Sequence, residues 1–258
     1  MIQVDKGLII PKILLTGRGK KETDKLCTDF DKDPASFQAL GEKEKPSKSH
    51  AFNAKIYSSK LVKNELIKLQ HNKCCFSEAK LNGDYGDVEH FRPKGRLGEG
   101  SSNIKSYPGY YWLAYSWGNL LLCKQMINQS YKKDFFPLIN NDDRACNHNE
   151  DLALERPVLI DPSQEDPRDH IRFHRDEPVG ITDRGKKTII LLNLRHSHFV
   201  EARRSLFKKL NSLKDAMDEL DRINPNCPIA EKIREELGSA ICPEAEFSSM
   251  AIDLLQNE

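Results

Sequence analysis

The sequence lacks any long hydrophobic run. Its longest apolar stretches are residues 188–192 and 120–123, whereas a membrane-spanning helix needs about 20 apolar residues. The first residues, MIQVDK, also lack the basic segment followed by an apolar stretch that marks a secretion signal. We therefore expect a cytoplasmic protein with no transmembrane segment and no membrane partner.

The sequence also lacks an excess of charge of either sign. Lys and Arg total 40 and Asp and Glu total 39, which gives a net charge of +1. This balance excludes a polybasic nucleic-acid coat and an acidic tail, although a local basic patch is enough to bind nucleic acid. The seven cysteines are odd in number and scattered, so no disulfide framework is predicted.

The chain does have enough apolar material for a core. Its 258 residues are 38% hydrophobic and 31% charged, which is typical of a folded chain with one large domain or two small ones. Residues 1–50 are poorly patterned. Ile9-Ile10 and Ile13-Leu14-Leu15 are interpreted as short strands around Pro11, and residues 41–48 as a loop.

Residues 58–72 are predicted to be helical, because apolar residues recur there at a spacing of three to four. Lysines decorate the same segment. They indicate either a solvated helix face or a phosphate-binding face, and the sequence leaves both open.

The middle of the chain predicts a strand at residues 87–91, a loop at 93–109, a strand at 119–123 and a short helix at 124–133. An aromatic cluster lies between the two strands. It is either core packing or a surface for base stacking, and it consists of Tyr110, Tyr111, Trp112, Tyr115 and Trp117.

The C-terminal half predicts short strands at residues 158–160 and 171–173, followed by a long helix. One face of that helix is apolar, which is typical of packed core or of a seam for a partner helix. The apolar positions are Phe199, Leu206, Leu210, Leu213, Met217 and Leu220.

Side chains suited to metal-assisted chemistry follow one another through the middle of the chain. They are Asp87, Glu89, His90, Asn119, Asn128 and Lys132. Carboxylate and amide oxygens suit Mg²⁺ or Mn²⁺, and a neutral imidazole beside such an ion can take a proton from water. Asn128 and Lys132 are four residues apart and share a helix face, so one can hold metal while the other reaches a phosphate. A lone Asp-Val-Glu-His string is more often structural, so the ordered set is what favours catalysis.

These segments resemble HNH endonucleases. The similarity is greatest to the HNH subunit of Septu-type anti-phage defence systems, the PtuB-like proteins, some of which are encoded beside retrons. It covers most of residues 50–205. The residues that carry it are 87–94 (DVEHFRPK), 111–123 (YWLAYSWGNLLLC), 128–129, 132–138, 52–57, 154–162 and 188–194.

The resemblance implies an α+β fold, in which a mainly helical chain surrounds a small ββα-metal core. We expect residues 1–57 to form a partly irregular N-terminal segment. Residues 58–184 would carry the nuclease core with its flanking helix and strands. Residues 185–258 would form a helical region that docks a partner.

The resemblance also implies the roles of the central residues. His90 would be the general base that activates water, and Glu89 a ligand of one divalent ion, Mg²⁺ or Mn²⁺. Asp87 would assist or substitute for Glu89, and Asn128 would be the second ligand. Strict strand alternation puts Glu89 and His90 on opposite faces, so a shared ion requires the strand to end or bulge near Pro93.

Three further residues have implied roles. Asn119 would hold the loop that bears the histidine by hydrogen bonds, without touching substrate. Lys132 or Arg92 would contact the scissile phosphate. The products would be a 5′-phosphate and a 3′-hydroxyl.

Many PtuB-like proteins carry two Cys-x-x-Cys pairs that bind a structural zinc, and this chain departs from that pattern. Cys74 and Cys123 remain, whereas Ser77 and Ile127 replace the other two ligands. A four-cysteine site needs all four ligands, so we predict that the structural zinc is absent. A zinc would require rescue by another side chain, namely Cys75, Cys146 or His71.

The resemblance implies an ABC-type ATPase as partner and, in retron-linked systems, a reverse transcriptase with its RNA–DNA product. The substrate would be DNA or a structured RNA such as tRNA. The alternative is a non-catalytic nucleic-acid-binding or adaptor subunit, which the lost cysteines favour and the retained His90, Glu89, Asn119 and Asn128 oppose. A cysteine–histidine hydrolase is also conceivable, but no oxyanion hole is recognisable.

Overall fold

The computed structural model describes residues 1–37, 52–84, 86–98 and 105–256. Within these ranges the chain is mainly helical with small sheets, so the expected mixed, mainly helical class is confirmed. The α-helices are α1 (Lys12–Leu15), α2 (Arg18–Lys32), α3 (Ala54–Tyr57), α4 (Lys60–Leu69), α5 (Asp183–Leu191), α6 (Ser197–Ile223), α7 (Pro228–Ala240) and α8 (Ser248–Gln256). A π-helix spans Ile127–Lys132. No helix within the described ranges has the length and apolar character of a membrane span.

The strands form antiparallel pairs. They are β1 (Asp87–His90), β2 (Leu97–Gly98), β3 (Lys105–Ser106), β4 (Leu120–Cys123), β5 (Ile171–His174) and β6 (Glu177–Gly180). β1 pairs with β4, β2 with β3, and β5 with β6. The expected loop at 41–48 lies outside the described residues, as do positions 99–104 of the loop expected at 93–109.

One compact unit comprises Asp5–Leu69 and Gly83–Leu159. All four residues of β4 are buried, which explains why LLLC is apolar without alternation. α4 packs against β4, and its buried side chains are Val62 and Leu66. The five rings of the aromatic cluster are buried as well, which favours core packing over base stacking.

The other compact unit comprises Met1–Val4, Gln70–Asn82 and Ile160–Glu258. The β5–β6 hairpin contacts α5 and α8, and α6 contacts both α7 and α8. The apolar face of α6 is used inside this unit, because Phe199, Leu210 and Met217 are buried. This half of the face is packed core, whereas Leu206, Leu213 and Leu220 are partly exposed, so a seam for a partner helix stays a prediction.

A buried carboxylate stabilises the second unit. Glu78 accepts hydrogen bonds from Ser248 Oγ at 2.9 Å and from the Ser249 backbone N–H at 3.1 Å. Burial raises the pKa of Glu78, but the Met1 amino group and the Lys73 ammonium outweigh burial and hold it at about 2. The charged carboxylate thus fixes the start of α8 beside residue 78.

The N-terminal strand prediction is wrong. Ile13, Leu14 and Leu15 lie in α1, and Ile9-Ile10 are outside any strand. Pro11 directly precedes the helix, where a fixed φ near −65° is compatible with a helix start. The charged helix α2, which follows and buries Leu26, was missed because its polar residues leave a weak apolar pattern.

The strand predicted at residues 158–160 is also wrong. These residues are buried outside any strand, and the Val158 backbone N–H donates to the Pro137 carbonyl at 2.9 Å. A short apolar run does not distinguish a strand from a buried irregular segment. By contrast, the strand predicted at 171–173 and the helix predicted at 58–72 are confirmed as β5 and α4. The proposed division at residues 57 and 184 stays a prediction.

Candidate active site

β1 presents its carboxylates on one side and ends at the histidine. Asp87 and Glu89 are two residues apart and therefore share a face of the strand. His90 pairs with Leu120 at the last position of an uninterrupted register, so β1 ends there without a bulge. The chain turns away directly afterwards, where the Phe91 backbone N–H donates to the Asn119 carbonyl at 2.9 Å.

Asp87 is surrounded by amide side chains from the π-helix and the residues before it. Asn128 and Gln129 each donate from their amide nitrogen to Asp87 Oδ2 at 2.9 Å. Gln125 donates to Oδ1 at 3.3 Å. The structure therefore brings together two of the predicted ligands, Asp87 and Asn128.

Glu89 is paired with Lys132. Lys132 Nζ lies 2.5 Å from Glu89 Oε1, with both side chains buried. The same ammonium donates to the His90 carbonyl at 2.8 Å. Burial raises the pKa of Glu89, and the Lys132 ammonium opposes that rise.

His90 is a buried, neutral imidazole. Its Nε2 lies 2.9 Å from the Ala114 carbonyl oxygen, and because a carbonyl can only accept, Nε2 carries the proton. Burial and the Lys94 ammonium hold the pKa of His90 well below its usual range. Nδ1 is therefore the nitrogen with a lone pair, and it is the atom that can act as a base.

Lys94 lies at that lone pair. Its Nζ is 3.3 Å from His90 Nδ1 and 4.7 Å from the centre of the Tyr57 ring. The Tyr57 ring also packs edge-on against His90, with ring centres 4.6 Å apart. Tyr57 thus touches both the imidazole and the ammonium.

Asn119 holds the chain that follows His90. Its Oδ1 accepts from the Arg92 backbone N–H at 2.7 Å. Its Nδ2 donates to the Arg92 carbonyl at 2.9 Å and to the Leu113 carbonyl at 3.2 Å. The side chain is buried and these three hydrogen bonds all join it to backbone groups, so it can position the loop without reaching a substrate.

Arg92 has partners inside the protein. Its Nε donates to Glu155 Oε2 at 2.8 Å, and its guanidinium lies 5.3 Å from the centre of the Phe136 ring. Glu155 also accepts from the Tyr110 hydroxyl at 2.7 Å. The structure gives both Arg92 and Lys132 intramolecular partners, and a phosphate contact by either one stays a prediction.

The donor set suits a hard divalent cation in part. Asn128 donates to Asp87 through its amide nitrogen, so that contact does not use its amide oxygen, and carboxylate and amide oxygens are the ligands that Mg²⁺ or Mn²⁺ prefers. Glu89 fits less well because Lys132 already balances its charge. Asp87 and Asn128 are therefore the best placed ligands.

The residues of the eroded zinc motif are buried. Cys74, Cys75 and Ser77 lie in the unit that contains Gln70–Asn82, whereas Cys123 ends β4 and Ile127 begins the π-helix. The absence of a structural zinc stays a prediction, which the zinc content of the purified chain would test. The cysteine–histidine alternative loses support, since the two ring nitrogens of His90 contact Ala114 and Lys94.

Sequence reasoning missed three residues of this region. Lys94 stands four positions after His90, but the turn between them hides their contact. Tyr57 approaches from α3, 33 positions upstream of His90. Lys6 donates to the Trp117 and Gly118 carbonyls at 2.5 and 3.3 Å and also to the Leu120 carbonyl. No local pattern identifies contacts between such distant positions.

No family model matches the chain. The chain is 34% identical over 194 residues to the Septu protein PtuB of Bacillus mycoides (strain KBAB4). This similarity covers 71% of the chain and 64% of that relative, so the chain spans less than two thirds of the relative's length. The similarity confirms the resemblance drawn from the sequence: the chain is a homologue of the Septu protein PtuB.

Proposed function

We propose that the chain is a metal-dependent HNH endonuclease, the nuclease effector of a Septu-type anti-phage defence complex. The observation that carries this proposal is the neutral imidazole of His90. Its Nε2 is bound to the Ala114 carbonyl and its Nδ1 is left as a base. His90 ends the strand that also bears Asp87 and the buried Glu89.

Asp87 and Asn128 would hold the Mg²⁺ or Mn²⁺ ion, with Glu89 as a further ligand if Lys132 releases it. When bound, such an ion stabilises the charge that develops on the phosphate and leaving oxygens. The ββα-metal core would consist of β1, β4 and the π-helix. β1 supplies Asp87 and Glu89, and the π-helix supplies Asn128 and Lys132.

The protein side chains would carry out the proton transfer from water. A water placed at His90 Nδ1 would lose a proton to the imidazole as its oxygen attacks phosphorus, giving an imidazolium. The bond from phosphorus to the 3′-oxygen would break at the same time, and the leaving 3′-oxygen would take a proton from solvent water. The Ala114 carbonyl would keep the other ring nitrogen protonated and hold the ring's orientation. Asn119 would fix the chain after His90 and thereby the position of the base.

The test is cleavage of plasmid DNA and of tRNA by the purified chain with Mg²⁺ or Mn²⁺, alone and with its ATPase. We expect His90→Ala to lower cleavage by about 10²–10⁴-fold and a chelator to abolish it. His174→Ala, which changes an exposed histidine on β5, is the matched control and should cleave normally. Equal cleavage by the wild type and His90→Ala would contradict the mechanism.

A non-catalytic adaptor is the second candidate. The observation in its favour is that Lys132 neutralises Glu89 and that Lys94 lies at the base nitrogen of His90. Binding of DNA or tRNA without cleavage, with the ATPase present, would support the adaptor.

We also propose an ABC-type ATPase as the partner, with a reverse transcriptase and its RNA–DNA product added in retron-linked systems. Part of the apolar face of α6 is packed inside its own unit, whereas Leu206, Leu213 and Leu220 are partly exposed, and docking by this helix stays a prediction. Two exposed isoleucines near the turn between α6 and α7, Ile223 and Ile229, are better placed to contact the ATPase.

A further inference from the structure

Three cationic side chains of this region are candidates for the scissile phosphate, and two of them are already engaged. Lys132 is fully buried against Glu89 and the His90 carbonyl. Arg92 is bound to Glu155 and packs on aromatic rings. Moving either cation to a substrate would leave a buried carboxylate without its partner, which is energetically expensive.

Lys94 is different. Among the described residues no carboxylate lies within ion-pairing distance of its ammonium, which instead lies over the Tyr57 ring and 6.0 Å from the centre of the Phe52 ring. An aromatic face attracts a cation without neutralising it. The charge of Lys94 thus remains available to an anion.

The backbone holds Lys94 beside the histidine. The Tyr110 backbone N–H donates to the Pro93 carbonyl at 2.9 Å, and the Gly109 backbone N–H donates to the Gly95 carbonyl at 3.1 Å. Only glycine fits at position 109, because an added Cβ would come within 2.6 Å of the Pro93 carbonyl oxygen. The loop around Lys94 is therefore tightly fixed, while its four-carbon side chain can still move.

We propose that Lys94 is the residue that contacts the scissile phosphate, in place of the roles considered for Lys132 and Arg92. The proposal rests on the proposed nuclease function. Before substrate binds, the ammonium donates to His90 Nδ1. When a phosphate arrives, the ammonium moves to a phosphate oxygen and leaves Nδ1 for the attacking water. No bond forms or breaks in this movement, and Lys94 keeps its three protons.

Burial lowers the pKa of Lys94, which is expected of a cation held away from water before its anion binds. An incoming phosphate would stabilise the charged form. If Lys94 had a purely structural role, it would make no difference to how tightly an anionic ligand binds.

The experiment measures the salt dependence of binding to a short fluorescein-labelled DNA duplex, in EDTA so that no metal-dependent cleavage occurs. Each phosphate neutralised by a protein cation adds about 0.9 to the slope of log K against log salt. We expect Lys94→Met and Lys94→Gln each to lower the slope by about 0.9 and Lys94→Arg to keep it. Lys20→Met, which changes an exposed lysine on α2, is the control and should also keep it.

With Mg²⁺, Lys94→Met should further lower kcat for plasmid cleavage by about 10²-fold. An unchanged slope in both neutral variants, an equal loss in Lys20→Met, or no binding by the wild type would overturn the proposal. A lowered slope in a chain that cleaves no nucleic acid would leave the phosphate contact standing and reject the nuclease. His90-dependent cleavage with an unchanged slope would reject the phosphate contact of Lys94 and leave the nuclease function standing.

Discussion

At the scale of single residues, the pairing of Glu89 with Lys132 determines how the site is held together. The carboxylate lies on β1 and the ammonium at the end of the π-helix, with both side chains buried. Removing one partner of such a pair leaves an uncompensated charge, whereas replacing both with apolar groups is often neutral. The two residues therefore couple the strand to the π-helix.

We expect Lys132→Met to lower the free energy of unfolding by about 3–5 kcal/mol, because Glu89 then stays buried without its counter-ion. Urea unfolding measures this loss. The double variant Glu89→Leu with Lys132→Met should recover at least half of it. Lys133→Met changes the exposed neighbouring lysine and should alter stability by less than about 0.5 kcal/mol. A similar small effect of Lys132→Met would show that the pair contributes little.

At the scale of elements, a lysine from the N-terminal segment supports the start of β4. Lys6 Nζ donates to carbonyls of the segment that presents Asn119, and it lies 5.0 Å from the centre of the Trp117 ring. Without the Lys6 ammonium, these carbonyls would lose a hydrogen-bond donor inside the protein. The N-terminal segment thus takes part in positioning the predicted site.

Lys6→Met should destabilise this segment by about 2 kcal/mol, the range for a lost hydrogen bond to a charged group. The backbone amides of residues 117–123 should then exchange with deuterium about 30-fold faster, since 1.4 kcal/mol corresponds to tenfold. Mass spectrometry of the peptides measures the rate. Lys12→Met, on the exposed side of α1, is the control, and equal exchange in both variants would contradict the role of Lys6.

Elements with a strong local signal were predictable from the sequence. β1 follows from the short segment after the turn residues 83–86, and β4 follows from a short apolar segment. α4 follows from its helical period. Asp87, Asn128 and His90 could be placed near one another because the resemblance to HNH endonucleases groups them. The contact of Lys94 with His90 could not be predicted because it depends on the turn between them, and the contacts of Tyr57 and Lys6 depend on how distant segments pack rather than on local propensity.

At the scale of the whole molecule, the chain divides into two compact units, and the predicted catalytic residues all belong to the unit that contains Gly83–Leu159. The exposed isoleucines of the α6–α7 turn belong to the other unit. Ile223 and Ile229 are 78% and 63% exposed. Catalysis and docking to the ATPase would therefore be separable by substitution.

Replacing both Ile223 and Ile229 with Glu should abolish co-purification with the ATPase, because two charges would enter an apolar contact. Stability should stay within about 0.5 kcal/mol, since both side chains are exposed. Ile190→Glu changes an isoleucine of α5 with 74% exposure and should leave co-purification intact. Retention of the ATPase by the double variant would reject this surface.

Both tryptophans of the chain, Trp112 and Trp117, lie in the aromatic core of the unit that holds the predicted site. Intrinsic indole emission is therefore a built-in optical reporter for that unit alone, since the other unit contains neither tryptophan nor tyrosine. A melting curve recorded by indole emission would differ from one recorded by far-ultraviolet circular dichroism, which reports on the helices of both units, if the units lose structure independently.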